Sequence, residues 1–333
     1  MSPAGRLATC ASISVVAFVA TVGVPSAFAG GKVPPSSGID AAPVSVPGSE
    51  LAYVTRRAGH DTKLVETLPG GLGVVRKARL AGRFSVPVVA NDGSPSGLSA
   101  DGRTLVLTKP RRALGGGTTT LAVVDVRRLR IRRVLNLRGN FSFDAISPDG
   151  GTMFLIRYVD PRDPTRYSVR AYDLGAWRMI PGRIVDPSEP DEDMSGFPMT
   201  RAMGLDGRWA YTLYDGTEHP FIHALDTERR EAVCIDMDML AGLSNGIGHL
   251  KLTPSDGRLD VLAGTQVLAS VDTSTHEVIP RRAAARPRAA SDEAGFPWVV
   301  IAAPTAAPLL LAVFGRRRVG RKRALTGPGT IDG

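Results

Sequence analysis

The feature that most constrains this 333-residue chain is a turn sequence that recurs four times between short apolar runs. The copies are LSADGRTLVL at 98–107, ISPDGGTMFL at 146–155, GLDGRWAYTL at 204–213 and TPSDGRLDVL at 253–262. We call their Asp-Gly pairs the DG turns: Asp101–Gly102, Asp149–Gly150, Asp206–Gly207 and Asp256–Gly257. Asp-Gly supplies the positive-φ backbone that a turn between antiparallel strands needs. Each copy therefore predicts two strands joined by a turn.

A second marker follows each DG turn in the same order. It is an apolar run that ends in aspartate, then a polar turn and a further strand-like run, as in VVDVRRLRIRRVLNL and ALDTERREAVCID. The four marker aspartates are Asp125, Asp173, Asp226 and Asp272, and the DG aspartates are spaced 48, 57 and 50 residues apart. A four-stranded unit of this length is typical of one blade of a β-propeller.

The pattern predicts an all-β fold, a β-propeller of about five four-stranded blades over residues 49–280. Residues 51–80 form a less regular fifth copy, whose missing first strand 42–47 could supply. A sixth blade, assembled from irregular segments such as 186–200, stays open. We expect almost no helix in this range.

The repeats resemble those of the YVTN/WD40-like and TolB-like β-propeller families. SPDG at 147–150, VVDV at 123–126 and ALDT at 224–227 carry the resemblance, which covers about 230 residues. It implies a propeller, and it implies neither an activity nor catalytic residues, because propellers serve as binding modules and as enzymes. The GH…WD signature of typical WD40 proteins does not occur.

Both ends of the chain are typical of membrane signals. Residues 1–29 predict a secretory signal peptide, with Arg6 before an uncharged run and Ala27-Phe28-Ala29 before the cleavage point; a retained anchor is the alternative. A flexible linker at 30–48 follows. Residues 281–295 form a basic stalk, 296–315 a transmembrane helix and 316–333 a basic cytoplasmic tail, since RRRVGRKR directly follows the apolar run. The alternative for 296–315 is a buried helix of a soluble domain.

The net charge of +9 arises mainly at these ends. Residues 30–280 hold 30 of the 41 basic and 29 of the 32 acidic residues, a net charge of about +1. A nucleic-acid partner, which a basic protein would otherwise suggest, therefore loses its support. The tail suits the anionic lipids of the cell membrane.

Two charged segments are candidate sites. The acidic loop DPSEPDEDMSG at 186–196 holds five carboxylates that a Ca²⁺ ion or another ligand could bind, or it is a solvated insertion. The carboxylates are those of Asp186, Glu189, Asp191, Glu192 and Asp193. A possible anion patch combines the alternating RRLRIRR with an upstream pair, or its charges discourage edge pairing. The patch comprises Arg111, Arg112, Arg128, Arg130 and Arg132.

The other reactive residues give little evidence for a catalytic or metal site. His219 and His223 are too far apart on a strand for a shared metal. Asp144 could face the central channel, and Cys234, the one cysteine left after signal cleavage, is expected to be an inert thiol. No catalytic residue, metal or cofactor is predicted.

These patterns favour a single-pass, surface-anchored propeller that binds or scaffolds outside the cytoplasm, with an unknown extracytoplasmic protein or polysaccharide as partner. The alternative is an exported propeller enzyme, a hydrolase or lyase acting on carbohydrate or cell-wall material. Converging carboxylates in the central channel would favour the enzyme, and a plugged channel would favour the binder.

The two terminal signals generate a prediction about topology. If the chain is cleaved after Ala29 and anchored at 296–315, protease added to intact cells removes residues 30–295 and spares the tail. Immunoblots with antibodies against the propeller and the tail measure this. Protection of the propeller in intact cells contradicts the orientation.

Overall fold

The computed structural model describes residues 42–45, 48–68, 73–111, 117–160, 163–191, 194–216, 219–243 and 246–280. The predicted signal peptide, most of the predicted linker, the predicted stalk, the apolar 296–315 segment and the basic tail lie outside them. All the described residues belong to one compact unit. Among them, no helix has the length and apolarity needed to cross a bilayer.

The described chain is all-β, and its strands form five antiparallel sheets in chain order. Its one described helical element is a 3-10 turn at Asp238–Leu240. The strands are β1 (Ala52–Ala58), β2 (Asp61–Thr67), β3 (Val74–Leu80), β4 (Thr104–Thr108), β5 (Thr118–Asp125), β6 (Arg130–Arg138), β7 (Phe141–Ile146), β8 (Thr152–Asp160), β9 (Asp163–Asp173), β10 (Arg178–Met179), β11 (Met194–Ser195), β12 (Pro198–Met203), β13 (Trp209–Tyr214), β14 (Phe221–Asp226), β15 (Glu231–Asp236), β16 (Leu250–Ser255), β17 (Arg258–Ala263), β18 (Gln266–Asp272) and β19 (Val278–Pro280).

Each sheet is one blade, built from four successive chain segments. Blades 4 and 5 are the regular cases, β12 to β15 and β16 to β19. In blade 1 Val44 pairs with Tyr53 of β1, at the place expected for the missing first strand. In blade 2 the first position is filled by Ser85 and Leu98, which pair with Thr108 and Leu105 of β4.

Blade 3 accounts for the longest spacing between DG turns. Its fourth position holds two short strands, β10 and β11, which both pair with β9, and the acidic loop lies between them. The chain then enters β12 of blade 4. Segment 186–200 therefore contributes to blades 3 and 4, and the described residues contain no sixth sheet.

Apolar cores lie between successive blades. The strand TLVLT of β4 is buried along its whole length: Leu105 and Leu107 face blade 1, whereas Val106 faces blade 3. A strand buried on both faces is a continuous apolar run, which explains why the alternation expected of half-buried strands is absent. Three further cores join blades 2 and 3, 3 and 4, and 4 and 5. This is the arrangement of a β-propeller.

Three of the DG turns share one geometry. In blades 2 to 4 the Asp carboxylate accepts the backbone N–H two residues on, at 3.0 Å for Asp101, 2.8 Å for Asp149 and 2.9 Å for Asp206. The glycine has φ between +66° and +72° in all four turns. In blade 5 the turn is tighter, because Ser255 and Arg258 pair directly and leave Asp256 and Gly257 as a two-residue loop.

The marker aspartates end the third strand of blades 2 to 5 and hold the following turn. Each carboxylate accepts backbone N–H groups two or three residues on, as from Gly175 and Ala176 to Asp173 at 2.8 Å. Such bonds lower the pKa of these carboxyls; for Asp272 the Ser274 hydroxyl and the following N–H groups lower it to about 2. Four residues after each marker, a non-glycine residue has positive φ: Leu129, Trp177, Arg230 and His276.

Gly150 offers a test of the DG turns. A Cβ on Gly150 would lie 2.5 Å from Thr104 Oγ1, whereas one on Gly102 would meet nothing within 4 Å; both residues have left-handed φ. Gly102→Ala should therefore lower the free energy of unfolding by about 1–2 kcal/mol, because of backbone strain alone. Gly150→Ala should lower it by a further amount of about 1–3 kcal/mol, because of the clash. Urea unfolding of residues 30–290 measures both changes.

The conservative variant Arg130→Lys, at an exposed position, is the control and should leave the midpoint of urea unfolding unchanged. Equal effects of the two alanine variants would contradict the contact between the turn of blade 3 and β4.

Candidate functional site

The centre of the propeller is filled by a hairpin, which we call the central hairpin, residues 87–97. It leaves the inner position of blade 2, and Val88 pairs with Pro95 within it. Its tip reaches blade 4: the N–H groups of Asn91 and Asp92 donate to the carbonyls of Pro198 (2.9 Å) and Met199 (3.1 Å) of β12. The hairpin thus joins the inner strands of blades that are not sequence neighbours.

Asp92 at the hairpin tip is held from two further blades. Its Oδ2 accepts from Lys251 Nζ of β16 and from Thr200 Oγ1 of β12, both at 2.7 Å, and its Oδ1 accepts from Ser94. Burial alone would raise the pKa of Asp92, but these donors outweigh burial and lower it below its usual value. This carboxylate is 8% exposed and acts as an ionised cross-link.

A second carboxylate near the centre is also neutralised. Asp144 lies at a bulge in β7 and forms an ion pair with Arg201 of β12; both side chains are 3% exposed. Its other oxygen is buried without a partner among the described residues. Burial raises the pKa of nearby Tyr214 well above its usual value and lowers that of His223 to about 4. Tyr214 and His223 are therefore fixed in one protonation state at neutral pH, so these two side chains are poorly suited to acid–base chemistry.

The predicted acidic loop is partly a structural element. Asp186 is buried: its Oδ2 accepts the N–H of Cys234 at 2.9 Å, and its Oδ1 accepts from Ser188. Glu189 and Asp191 are exposed, and Glu192 and Asp193 lie outside the described residues. A cavity of about 10 Å³ between Asp186, Glu189, His223 and Cys234 has room for about one water. No group of three or more metal-ligating side chains occurs in the described part of the chain.

The predicted anion patch is not assembled as expected. Arg111 is half-buried and donates to Phe141 O and Thr119 Oγ1, so it supports the inner chain between blades 2 and 3. Burial lowers its pKa. Arg128 pairs with Asp125 at 2.7 Å, and Arg112 lies outside the described residues. Arg130 and Arg132 remain exposed on β6.

The DG turns and the marker turns share one end of the propeller, which we call the turn face. Between blades 4 and 5 this face has an open cleft of about 350 Å³. The half-buried ring of Trp209 forms its aromatic wall; Tyr211, which is buried in the core between blades 4 and 5, stacks against Trp209 with ring centroids 6.1 Å apart. Ser255, Asp256 and Thr273 lie opposite, and Thr273 N–H donates to Gly257 O at 3.1 Å.

The aromatic wall is fixed in position by charged and aromatic neighbours. The Arg208 guanidinium lies 5.5 Å from the Trp209 ring centroid and is itself ion-paired with Asp226, whose side chain is 1% exposed. His276 meets Trp209 edge-on at 5.0 Å. Asp256 is exposed and makes no ion pair with the described residues. A preformed aromatic surface beside a free carboxylate suits a cationic group.

Charge is divided sharply between the two parts of the propeller. Residues 49–138, blades 1 and 2, carry 17 basic and 6 acidic side chains, whereas residues 139–280, blades 3 to 5, carry 12 basic and 22 acidic ones. The near-zero net charge of the whole propeller is thus the sum of about +11 and −10. The cleft lies in the acidic part.

Sequence reasoning missed the central hairpin, the partners of Asp92 and Asp144, and the cleft. The sequence did contain a signal for the hairpin. Asn-Asp-Gly at 91–93 is a turn sequence flanked by prolines, and it lies between two strand segments at a place where a regular blade has no turn. The sequence contained no signal for the partners of the two carboxylates; Lys251, for example, lies 159 residues after Asp92.

Comparisons with known proteins were made by family, by sequence and by structure. No family model matches the chain, and no curated protein does. Among solved structures, the β-propeller domain of Cps50 (Swd1) from Myceliophteria thermophila is 16% identical, with 75% of this chain and 69% of that chain covered and a TM-score of 0.42. A putative TolB from Agrobacterium tumefaciens is 14% identical, with 72% and 79% covered and a TM-score of 0.42. A functionally unknown protein from Desulfotomaculum acetoxidans is 11% identical, with 73% and 69% covered and a TM-score of 0.45.

Asp92 generates a prediction about stability and pH. Because its folded pKa is depressed, its contribution is present above the unfolded pKa of about 3.9 and is lost as pH falls below that value. Asp92→Asn should lower the free energy of unfolding at pH 7 by about 1–3 kcal/mol. The difference from wild type should shrink at pH 3, as urea unfolding at both values measures. A difference that is the same at pH 7 and pH 3 contradicts an ionised cross-link.

Proposed function

We propose that this protein is a binding module outside the cytoplasm, anchored through its C-terminal apolar segment, and that its ligand binds in the turn-face cleft between blades 4 and 5. The observation that carries the proposal is the filled centre. The central hairpin occupies the channel, and both carboxylates near it are neutralised by Lys251 and Arg201. This arrangement favours the binding module over the alternative, an exported hydrolase or lyase.

The chemistry of the cleft favours a cationic segment of a partner protein as ligand. The half-buried ring of Trp209 offers aromatic surface, and Asp256 offers a carboxylate without an ion pair among the described residues. The field of blades 3 to 5, with about ten net negative charges, attracts a basic partner toward this side. A polysaccharide, which would use the same aromatic wall without needing the charge, is the competing ligand.

The direction of the chain is compatible with display of the turn face. The β18–β19 turn lies at the turn face, where Thr273 meets the DG turn of blade 5. From there β19 runs back along β18, and Ala269 pairs with Pro280. Whatever follows Pro280 is therefore attached at the end of a strand that leads away from the cleft.

Binding at the cleft is tested with the full chain as bait on envelope fractions, followed by mass spectrometry of cross-linked partners. The double variant Leu205→Ser with Asp256→Ser changes two exposed residues of the cleft, one apolar and one acidic. The matched control, Val159→Ser with Asp191→Ser, makes the same changes outside it. We expect the cleft variant to lose at least about tenfold in partner yield and the control to retain it.

Three results separate the alternatives. Equal capture by wild type and cleft variant contradicts the cleft as the binding site. Capture that depends on the cleft but resists 0.5 M salt favours a neutral saccharide over a cationic segment, because screening weakens charge pairing. Turnover of a carbohydrate substrate by wild type would support the enzyme instead.

A further inference from the structure

The outer strands of blades 1 and 2 are rich in exposed basic residues, and those of β6 form a basic edge on the side of blade 2 toward blade 3. β3 and β6 are the last strands of their sheets, and they contact each other across the two blades. The link includes Arg76, whose Nη1 donates to the carbonyl of Arg127 at 2.8 Å. Both strands are largely exposed, so their charged side chains face solvent along the rim of the propeller.

Some cations of these strands are already neutralised and others are not. Arg76 pairs with Glu66, and Arg79 pairs with Asp61. Four exposed cations of β6 make no ion pair with any described residue, namely Arg130, Arg132, Arg133 and Arg138. Arg133 pairs with Val123 of β5, which packs against blade 3, so it lies on the face of blade 2 toward blade 3. Lys77 of β3 pairs with Val65 on the face of blade 1 that is turned away from blade 2, so it is not part of this set. Like charges held close together repel one another, so this set lowers stability unless an anion binds to it.

A bulge in β6 brings two of these cations together. The β5–β6 register shifts between Val123 and Val124, which interrupts the strict alternation expected from RRLRIRR. As a result, the guanidinium groups of Arg132 and Arg133 both lie over the ring of Trp177 in blade 3, at 5.5 and 4.9 Å from its centroid. Stacking restricts the two side chains, which reduces the entropy that they lose when an anion binds.

We propose that this edge, the side chains of Arg130, Arg132 and Arg133, is a docking surface for an extracytoplasmic polymer with repeated phosphodiester groups. Guanidinium groups bind phosphate oxygens in pairs. Alternate residues of a strand are about 6.7 Å apart, so a flexible chain of phosphates can follow the edge. The proposal does not depend on the cleft between blades 4 and 5.

A second copy of this chain is less well suited to the edge. Its acidic blades 3 to 5 have the complementary charge, but many of those carboxylates already serve the blade turns. Asp149, Asp173, Asp206, Asp226 and Asp272 each accept backbone N–H groups of their own loops. Turning them toward a partner would break these bonds, whereas a phosphate polymer brings free charges.

The test measures binding of a fluorescent poly(glycerol phosphate) chain to the purified full-length protein by anisotropy over a range of salt. The edge variant is Arg130→Ser, Arg132→Ser, Arg133→Ser. Its matched control, Arg178→Ser, Arg229→Ser, Arg258→Ser, removes three exposed positive charges from blades 3 to 5. A tail variant replaces the six basic residues of 316–323 with serine, since that cluster could also bind the polymer.

We expect the edge variant to bind at least about tenfold more weakly and to reduce the slope of log K against log salt by about 2, since three phosphate contacts are lost. The control and the tail variant should bind within about twofold of wild type. Thermal melts of the edge variant should match wild type or rise slightly, because repulsion is relieved.

Each other outcome overturns the proposal. Equal losses in edge variant and control show that net charge alone matters, and loss in the tail variant alone places the site there. Binding to phosphatidylglycerol vesicles that depends on the edge, without binding to the polymer, identifies a lipid surface. Concentration-dependent dimers in sedimentation that disappear in the edge variant, again without polymer binding, identify a second copy of the chain.

Discussion

Each blade of this protein has two apolar faces, and neither can be buried unless another sheet packs against it. The second strand of blade 2 shows this most clearly, because Leu105, Val106 and Leu107 are fully buried although they face opposite sides of one sheet. Burying one such side chain contributes about 1.5–3 kcal/mol. The described residues contain no disulfide. Cohesion of the fold therefore rests on the cores that successive blades share.

Because every blade must pack against its neighbours in the same way, the sequence could reveal the repeated features of a blade. Aspartates that must satisfy turn N–H groups, and glycines that must adopt positive φ, recur at fixed places because every blade repeats the same geometry. The order of the strands followed from those markers. The left-handed residues at Leu129, Trp177, Arg230 and His276 were not predicted, since side-chain chemistry does not reveal that backbone state; only the constant distance from the marker aspartate does.

The interior of the ring was much less predictable. Asp144 was suspected to face the channel, but its partner Arg201 lies 57 residues away, and nothing in either local sequence indicates the pairing. The sequence contains the excess of basic residues in blades 1 and 2 and the excess of acidic residues in blades 3 to 5. The two excesses cancel in the net charge of the whole propeller, so that the net charge does not show the division. The neighbours of the arginines on β6 were unpredictable for a third reason: a single bulge in that strand places Arg132 beside Arg133 over Trp177. Contacts that are remote in sequence, and one-residue shifts of register, are decided by packing of the complete ring.

The central hairpin has a consequence for how the chain reaches its native state. The polar tip of the hairpin lies early in the sequence. Its partner on β12 lies more than 100 residues later, and its partner on β16 lies 159 residues later. Long-range contacts of this kind are slow to form, since the intervening chain must first be closed into a loop. Blades 1 and 2 therefore cannot complete their centre as an independent folding unit. The ring should assemble in one late, cooperative step, which is compatible with a polypeptide that is threaded unfolded across a membrane before it folds.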